Sequence, residues 1–71
     1  MRNLRRVREN KMLSLRDVGM DLDVNYSLIS YWETGKRNPS KVNILKLEEY
    51  FDEDIEYLMS EDVHANHPGT K

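Results

Sequence analysis

The chain has no cysteine among its 71 residues. Neither a disulfide framework nor a cysteine-ligated zinc site can supplement its core, so it must fold by packing alone, as suits a reducing interior. A chain of this length makes one domain at most and hides only about 60% of the surface its unfolded form exposes. It also lacks any apolar run near the roughly 20 residues that span a bilayer, and the opening MRNLRRVREN carries no apolar segment behind its arginines. A cytoplasmic protein with no membrane partner is expected.

Other absences narrow the chemistry. There is no phosphate-cradling glycine loop. His64 and His67 have only Asp62 near them, in a stretch with neither periodicity nor apolar mass, so neither a metal site nor a general base has a rigid frame. Asp52, Glu53, Asp54 and Glu56 cluster, but without the glycine and the spacing of an EF-hand they read as a solvated, acidic helix-cap region. No enzyme, no cofactor and no small-molecule substrate is expected.

What the chain does have is separated charge. Residues 1 to 46 hold ten Lys/Arg against five Asp/Glu, and residues 47 to 71 hold one lysine against eight acids. The potential at a contact is set by charges within about one Debye length, roughly 8–10 Å, so the basic end can bind a polyanion despite the net charge of −2. The plainer alternative is two ordinary solvated helix faces.

Punctuation divides the chain into five short helical pieces with no strand signal between them, an all-α pattern. Asn3 is placed to cap a first helix over about residues 4 to 11, with Leu4, Val7 and the stem of Arg8 at helical spacing. Ser14-Leu15-Arg16-Asp17 has the form of a capping box that starts a second helix. Val18 and Leu22 face inward on it, and Gly19 lets another backbone come close, at a cost of about 1 kcal/mol in helix propensity. Asp23 takes the turn in the left-handed conformation, and Asn25 caps a third helix. Ile29 and Trp32 share the inner face of that helix, Gly35 ends it, and Lys36-Arg37-Asn38-Pro39 is a loop. Ser40 caps a fourth helix with Ile44, Leu47 and Phe51 as its buried stripe and Leu45 beside it. Asp54 caps a fifth, running from Ile55 to about Ser60, with Leu58 and Met59 facing in. Residues 1–61 form the domain, and 62–71 are expected to be a disordered tail.

Trp32 belongs to the core, since truncating a buried Trp would cost about 3–5 kcal/mol. Tyr50 and Tyr57 have two readings: they close the core, or they form a dimer contact with Phe51 and Met59. The third helix is unusual on its outer side, where VNYSLISYWETGKRNPS sets two tyrosines and two serines opposite Ile29 and Trp32. Hydroxyls and aromatic rings on one face suit contact with something outside the chain.

Two short helices joined by a tight turn, the second polar outside, are the elements of a helix-turn-helix. From Leu4 to Met59 the chain resembles the phage repressor and Cro type of this domain, also called XRE-like. The pattern is carried by Leu4, Arg8, Leu13, Ser14, Val18, Leu22, Val24, Ile29, Glu33, Gly35, Arg37, Pro39, Ser40, Ile44, Leu47 and Phe51. Its most specific part is Ile29-x-x-x-Glu33-x-Gly35-x-x-x-Pro39-Ser40.

The resemblance implies a five-helix repressor-like domain that binds double-stranded DNA as a transcriptional regulator. The third helix would lie in the major groove and the second would cross the backbone. Tyr26, Ser27, Ser30 and Tyr31 become groove-facing, with Asn25 near a phosphate. Arg16, Lys36 and Arg37 supply the flanking charge, and a salt slope near −3 per subunit follows from three phosphate contacts. Arg8 is expected to pair with Glu33. Arg2, Arg5 and Arg6 either reach DNA or keep the surface soluble. A weak homodimer through the fourth and fifth helices would read half-sites about one helical turn apart.

The sequence departs from the pattern at several positions. Leu15 stands where the family usually has glutamine, Gly19 where alanine is usual, Asp23 where glycine is usual, and Tyr26 and Tyr31 where arginine, lysine or glutamine is common. A tyrosine-rich patch with Leu15 and Leu28 has the composition of a protein interface. The alternative function is therefore a helix-turn-helix protein that binds a partner through Leu15, Tyr26, Leu28 and Tyr31, such as an anti-repressor acting on a phage-type repressor.

Overall fold

The computed structural model describes residues 1–60 and contains five helices: α1 (Arg2–Asn10), α2 (Leu15–Leu22), α3 (Tyr26–Thr34), α4 (Lys41–Phe51) and α5 (Ile55–Met59). Among the described residues there is no strand, and no helix is long and apolar enough to cross a membrane. The expected tail, with His64 and His67, lies outside the described residues. Helix α1 packs on α3 and α5, α2 on α3 and α4, and α4 on α5. Each helix contributes one or two side chains to a shared core: Leu4 and Val7 from α1, Val18 and Leu22 from α2, Ile29 and Trp32 from α3, Leu47 and Phe51 from α4, and Leu58 from α5.

Local chemistry sets most of the boundaries. The Ser14 hydroxyl accepts from the Asp17 N–H at 3.0 Å while the Asp17 carboxylate accepts from the Ser14 N–H at 2.8 Å, a complete capping box. The hydrogen bond from the Ser14 backbone N–H foremost, and after it the Ser14 hydroxyl, hold the Asp17 carboxyl below the usual carboxylate range. Asp23 closes α2 in the left-handed region, at φ 59°. Gly35 closes α3 at φ 83°, where a Cβ would meet nothing within 4 Å, so glycine is favoured there for its dihedral and not for space. Gly19 is the opposite case. A Cβ on it would stand 2.9 Å from the Val24 carbonyl oxygen and 3.2 Å from the Tyr26 Cα, so the usual alanine would push α2 and α3 apart. Met12 also takes a positive φ, 60°, where α1 gives way to α2, although its side chain has no local polar group to favour it.

Three expected details are corrected. Asn3 does not cap α1: the helix starts two residues earlier, behind Met1, and Asn3 lies buried inside it. Its Nδ2 donates to the Tyr57 carbonyl at 3.1 Å and its backbone N–H donates to the Ser60 carbonyl at 3.2 Å, so the amide serves to dock α1 on the end of α5. Asp54 sits at the N-cap of α5 but makes no side-chain capping bond. Glu48, reaching from the last turn of α4, accepts from the Ile55 N–H at 2.9 Å instead. Met59 does not face in; it is 42% exposed, because a helix of five residues has room for one buried row and Leu58 occupies it.

Further polar contacts bind the helices beyond apolar packing. The Arg8 guanidinium meets Glu33 through Nε at 2.6 Å and Nη2 at 3.2 Å, and its Nη1 donates to the Leu13 carbonyl at 2.7 Å. The Arg8 and Glu33 side chains are only 10% and 5% exposed. The hydrogen bond to Glu33 pushes the Arg8 pKa up further, against the effect of burial. Across the molecule the Tyr50 hydroxyl donates to Asp21 at 2.6 Å, with its ring edge-on to Phe51 at 4.8 Å. Tyr50 therefore closes the core, and Phe51 is buried beneath it.

Removing one member of a buried ion pair strands the other charge. Glu33→Gln is expected to cost about 3 kcal/mol or more in urea unfolding, whereas replacing both partners together, Arg8→Met with Glu33→Met, costs less than that single change. The Tyr50 phenol is pushed up to about 12, by burial first and by Asp21 second. Its folded pKa lies above the ordinary tyrosine value of about 10, so its contribution is complete below about pH 10 and is lost as pH rises from there through about 12. A tyrosinate absorbance titration should show this late step, and Tyr50→Phe should remove both the step and the matching loss of stability.

Candidate nucleic-acid interface

Helix α3 is held at its back end and open at its front. Its inner face, Ile29 and Trp32, is buried, and its last turn is tied to α1 by the Arg8–Glu33 pair and by the Met1 amino group, which donates to the Trp32 carbonyl at 3.2 Å. The front end begins at Asn25, whose Oδ1 accepts from the Ser27 N–H at 2.9 Å and from the Ser27 hydroxyl at 2.7 Å. This cap leaves the Asn25 amide NH2 as its outward donor, next to the positive end of the helix dipole. It also commits the Ser27 hydroxyl proton, so Ser27 offers acceptor lone pairs outward.

The two tyrosines are exposed to similar extents, 42% for Tyr26 and 40% for Tyr31, and each carries a cation on its ring. The Arg16 guanidinium carbon lies 4.7 Å from the centroid of Tyr26, and Lys36 Nζ lies 5.8 Å from that of Tyr31. Contacts of this kind contribute about 0.5–1 kcal/mol at exposed sites and restrict long side chains that would otherwise wander. The backbone assists at the second pair. The Tyr31 carbonyl accepts from the N–H groups of Lys36 at 2.9 Å and Arg37 at 3.3 Å, folding the loop cations onto the end of α3. Cations there also complement the negative end of the helix. Ser30 is half-buried, with its carbonyl accepting from the Thr34 hydroxyl at 3.0 Å.

Between α2 and α3 lies an open groove of about 500 Å³ lined by Arg16, Gly19, Met20, Asp23, Val24, Asn25 and Tyr26. Met20 is 81% exposed and was not among the residues expected to matter, although its spacing four after Arg16 puts both on one side of α2. Asp23 brings a carboxylate to the same groove. A second cleft of about 660 Å³ separates α1 from the end of α3, with Arg2, Arg5, Arg6, Glu9, Asn10, Glu33 and Thr34 around it. Arg5 is paired there with Glu9 at 3.0 Å.

Of the residues expected on the surface, Arg16, Asn25, Tyr26, Tyr31, Lys36 and Arg37 are exposed, while Ser27 and Ser30 are half-buried. The alternative protein-binding face is less apolar than its sequence suggested. Leu15 and Leu28 are half-buried and pack against the core, so Tyr26 and Tyr31 are the exposed part of that set.

Comparison with known protein families agrees with this architecture: the Helix-turn-helix family model matches residues 4–58. The chain belongs to the helix-turn-helix family, in its repressor and Cro-type branch. No curated protein and no solved structure matches the chain. The family is one of DNA-binding regulatory domains, and α2 and α3, separated by the Asp23 turn, are the two helices after which it is named in this fold.

Asn25 supports both the fold and the exposed face. Asn25→Ala is expected to cost about 1 kcal/mol in thermal or urea unfolding, the usual cost of losing such a cap. The same change should release the Ser27 hydroxyl, seen as faster exchange of its proton in NMR spectra. Asn25→Asp, which keeps the acceptor, should preserve stability.

Proposed function

We propose that this helix-turn-helix protein is a sequence-specific transcriptional regulator that reads the major groove with α3 and acts by occupancy, excluding polymerase or another regulator from its site. The observation that carries the reading is the bracketing of α3 by cation–aromatic pairs, Arg16 on Tyr26 at one end and Lys36 on Tyr31 at the other. A helix laid in a groove about 12 Å wide needs positive charge on both flanks, facing the two phosphate strands. Arg37 adds to the second flank, and the Asn25 amide supplies a phosphate donor at the helix start.

Base reading would fall to Ser27, Ser30 and the two rings. With its proton committed to Asn25, Ser27 suits a donor on the base edge, the N6 amine of adenine or the N4 amine of cytosine, and the tyrosine rings suit a thymine methyl. None of these is a bidentate arginine or glutamine pair, so part of the discrimination would come from DNA shape. Two copies acting together would read half-sites about one helical turn apart.

A second reading, an anti-repressor that engages a phage-type repressor, draws on the exposed Met20 beside Tyr26, since methionine and tyrosine are enriched at protein interfaces. One pair of titrations separates the two. With duplex DNA from its own upstream region, the regulator should bind with a log K against log salt slope of about −3 per subunit. Ser27→Ala with Arg37→Ala should abolish sequence preference and flatten the slope by about one unit. Salt-tolerant binding to a neighbouring repressor, weakened by Tyr31→Ala and without DNA binding, would establish the anti-repressor instead.

A further inference from the structure

Arg2, Arg5 and Arg6 stand exposed on the side of α1 that lines the cleft against the last turn of α3. Their i, i+3 and i, i+4 spacing crowds three like charges together at the positive end of a helix with no acid in its first turn. For α1 alone the arrangement is unfavourable, and the opposite wall does not relieve it. Glu33 is held there by Arg8, with its side chain only 5% exposed. The carbonyls that end α3 are taken as well: that of Ser30 by the Thr34 hydroxyl, that of Tyr31 by the Lys36 and Arg37 N–H groups, and that of Trp32 by the Gly35 N–H. Arg5 meets Glu9 through Nε at 3.0 Å, which leaves its two terminal nitrogens outside that bond. Arg6 makes no hydrogen bond or ion pair among the described residues.

An anion seated in the cleft would relieve this crowding. Once the Arg8–Glu33 pair is set aside, the lining holds three arginines against one glutamate, Glu9, an excess of two positive charges. A phosphomonoester carries about −1.5 to −2 charges at pH 7, and the planar arginine fork matches its oxygens two at a time. The cleft volume of about 660 Å³ lies in the range of small-molecule sites and leaves room for an organic body beside the phosphoryl group. We propose that this cleft binds a small phosphomonoester, with Arg5 and Arg6 gripping the phosphoryl oxygens and Arg2 adding charge beside them. Glu9 competes with that ligand for Arg5. The second wall is the turn that carries Glu33, so the bound ligand spans α1 and α3 beside the Arg8–Glu33 pair and tightens the attachment of α3. The site lies at the back of α3, and the inference does not rest on groove reading by the front turn.

The test titrates the full chain with adenosine 5′-monophosphate at an ionic strength held constant with chloride. The Arg5 and Arg6 Nε–H signals and the Thr34 amide signal in NMR spectra should shift along one saturating curve. The unfolding midpoint should rise over the same concentrations, as it must for a ligand of the folded state. Arg6→Gln should weaken binding about tenfold, the usual effect of losing a charged hydrogen-bonding partner. Glu9→Gln should tighten it, because Arg5 loses its internal competitor, whereas Glu49→Gln on α4 should leave it unchanged. All three side chains are exposed, so helicity by circular dichroism should not change. Inorganic phosphate should bind more weakly than the nucleotide, and equal affinity would overturn the choice of a monoester. Shifts that never saturate, or that are the same in the unaltered chain, Arg6→Gln and Glu9→Gln, would overturn the site itself. Duplex DNA binding should be unchanged by Arg6→Gln. Its loss in that variant, with no nucleotide binding by the unaltered chain, would overturn the proposal and assign these arginines to the DNA surface.

Discussion

The Arg8–Glu33 pair is the constraint on which the rest of the molecule depends. Nine residues of α3 could not by themselves hold a fixed attitude, since an isolated helix of that length is marginal in water. The pair fastens the last turn of α3 to α1, and the third arm of the same guanidinium reaches the Leu13 carbonyl, just ahead of the capping box that starts α2. One buried cation thus sets three segments: α1, the approach to α2 and the end of α3. The Met1 amino group on the Trp32 carbonyl adds a second tie at the same end. These polar ties lie at the back of α3, while its front turn rests on α2 through the close Gly19 contact and leaves Asn25 and Tyr26 exposed.

That front turn shows a division between structural and exposed hydrogen-bonding groups. Asn25 satisfies the helix start with its oxygen and keeps its amide outward, and Ser27 gives its proton to the cap and keeps its lone pairs. The flanking cations are likewise partly organised before any ligand arrives. Arg16 and Lys36 rest on tyrosine rings, and the loop after α3 is folded back on the Tyr31 carbonyl. Ordering these side chains in advance reduces the entropy lost on binding.

Much of the fold was legible because the signals are local. The capping box at Ser14, the left-handed turn at Asp23, the caps at Asn25 and Ser40 and the glycine closing α3 each involve residues within a few positions of one another. Two of the expectations that failed concern residues with more than one chemically reasonable partner. Asn3 had the composition of a cap but found the Tyr57 carbonyl, and Asp54 held the cap position while Glu48 made the bond. Leu15, expected as an exposed departure from the family pattern, found the edge of the core. Met20 and Val42 went unmarked, and Leu45, placed beside the stripe, lies in water, because nothing in an amphipathic period distinguishes an apolar residue at the stripe's edge from one left exposed.

The sequence by itself determined the five helices, most of their ends and most of the core, because helix periodicity and capping are written within one or two turns of chain. It also carried the Arg8–Glu33 pairing, through the resemblance of its pattern to the repressor and Cro-type domain. Only the tertiary structure decided how Gly19 admits the Val24 and Tyr26 backbone, and which cation lies over which ring. It likewise decided which tyrosines face solvent and that Tyr50 is held by Asp21. Those outcomes depend on distances between segments far apart in the chain, and such distances are set by packing, for which no short stretch of residues holds a record.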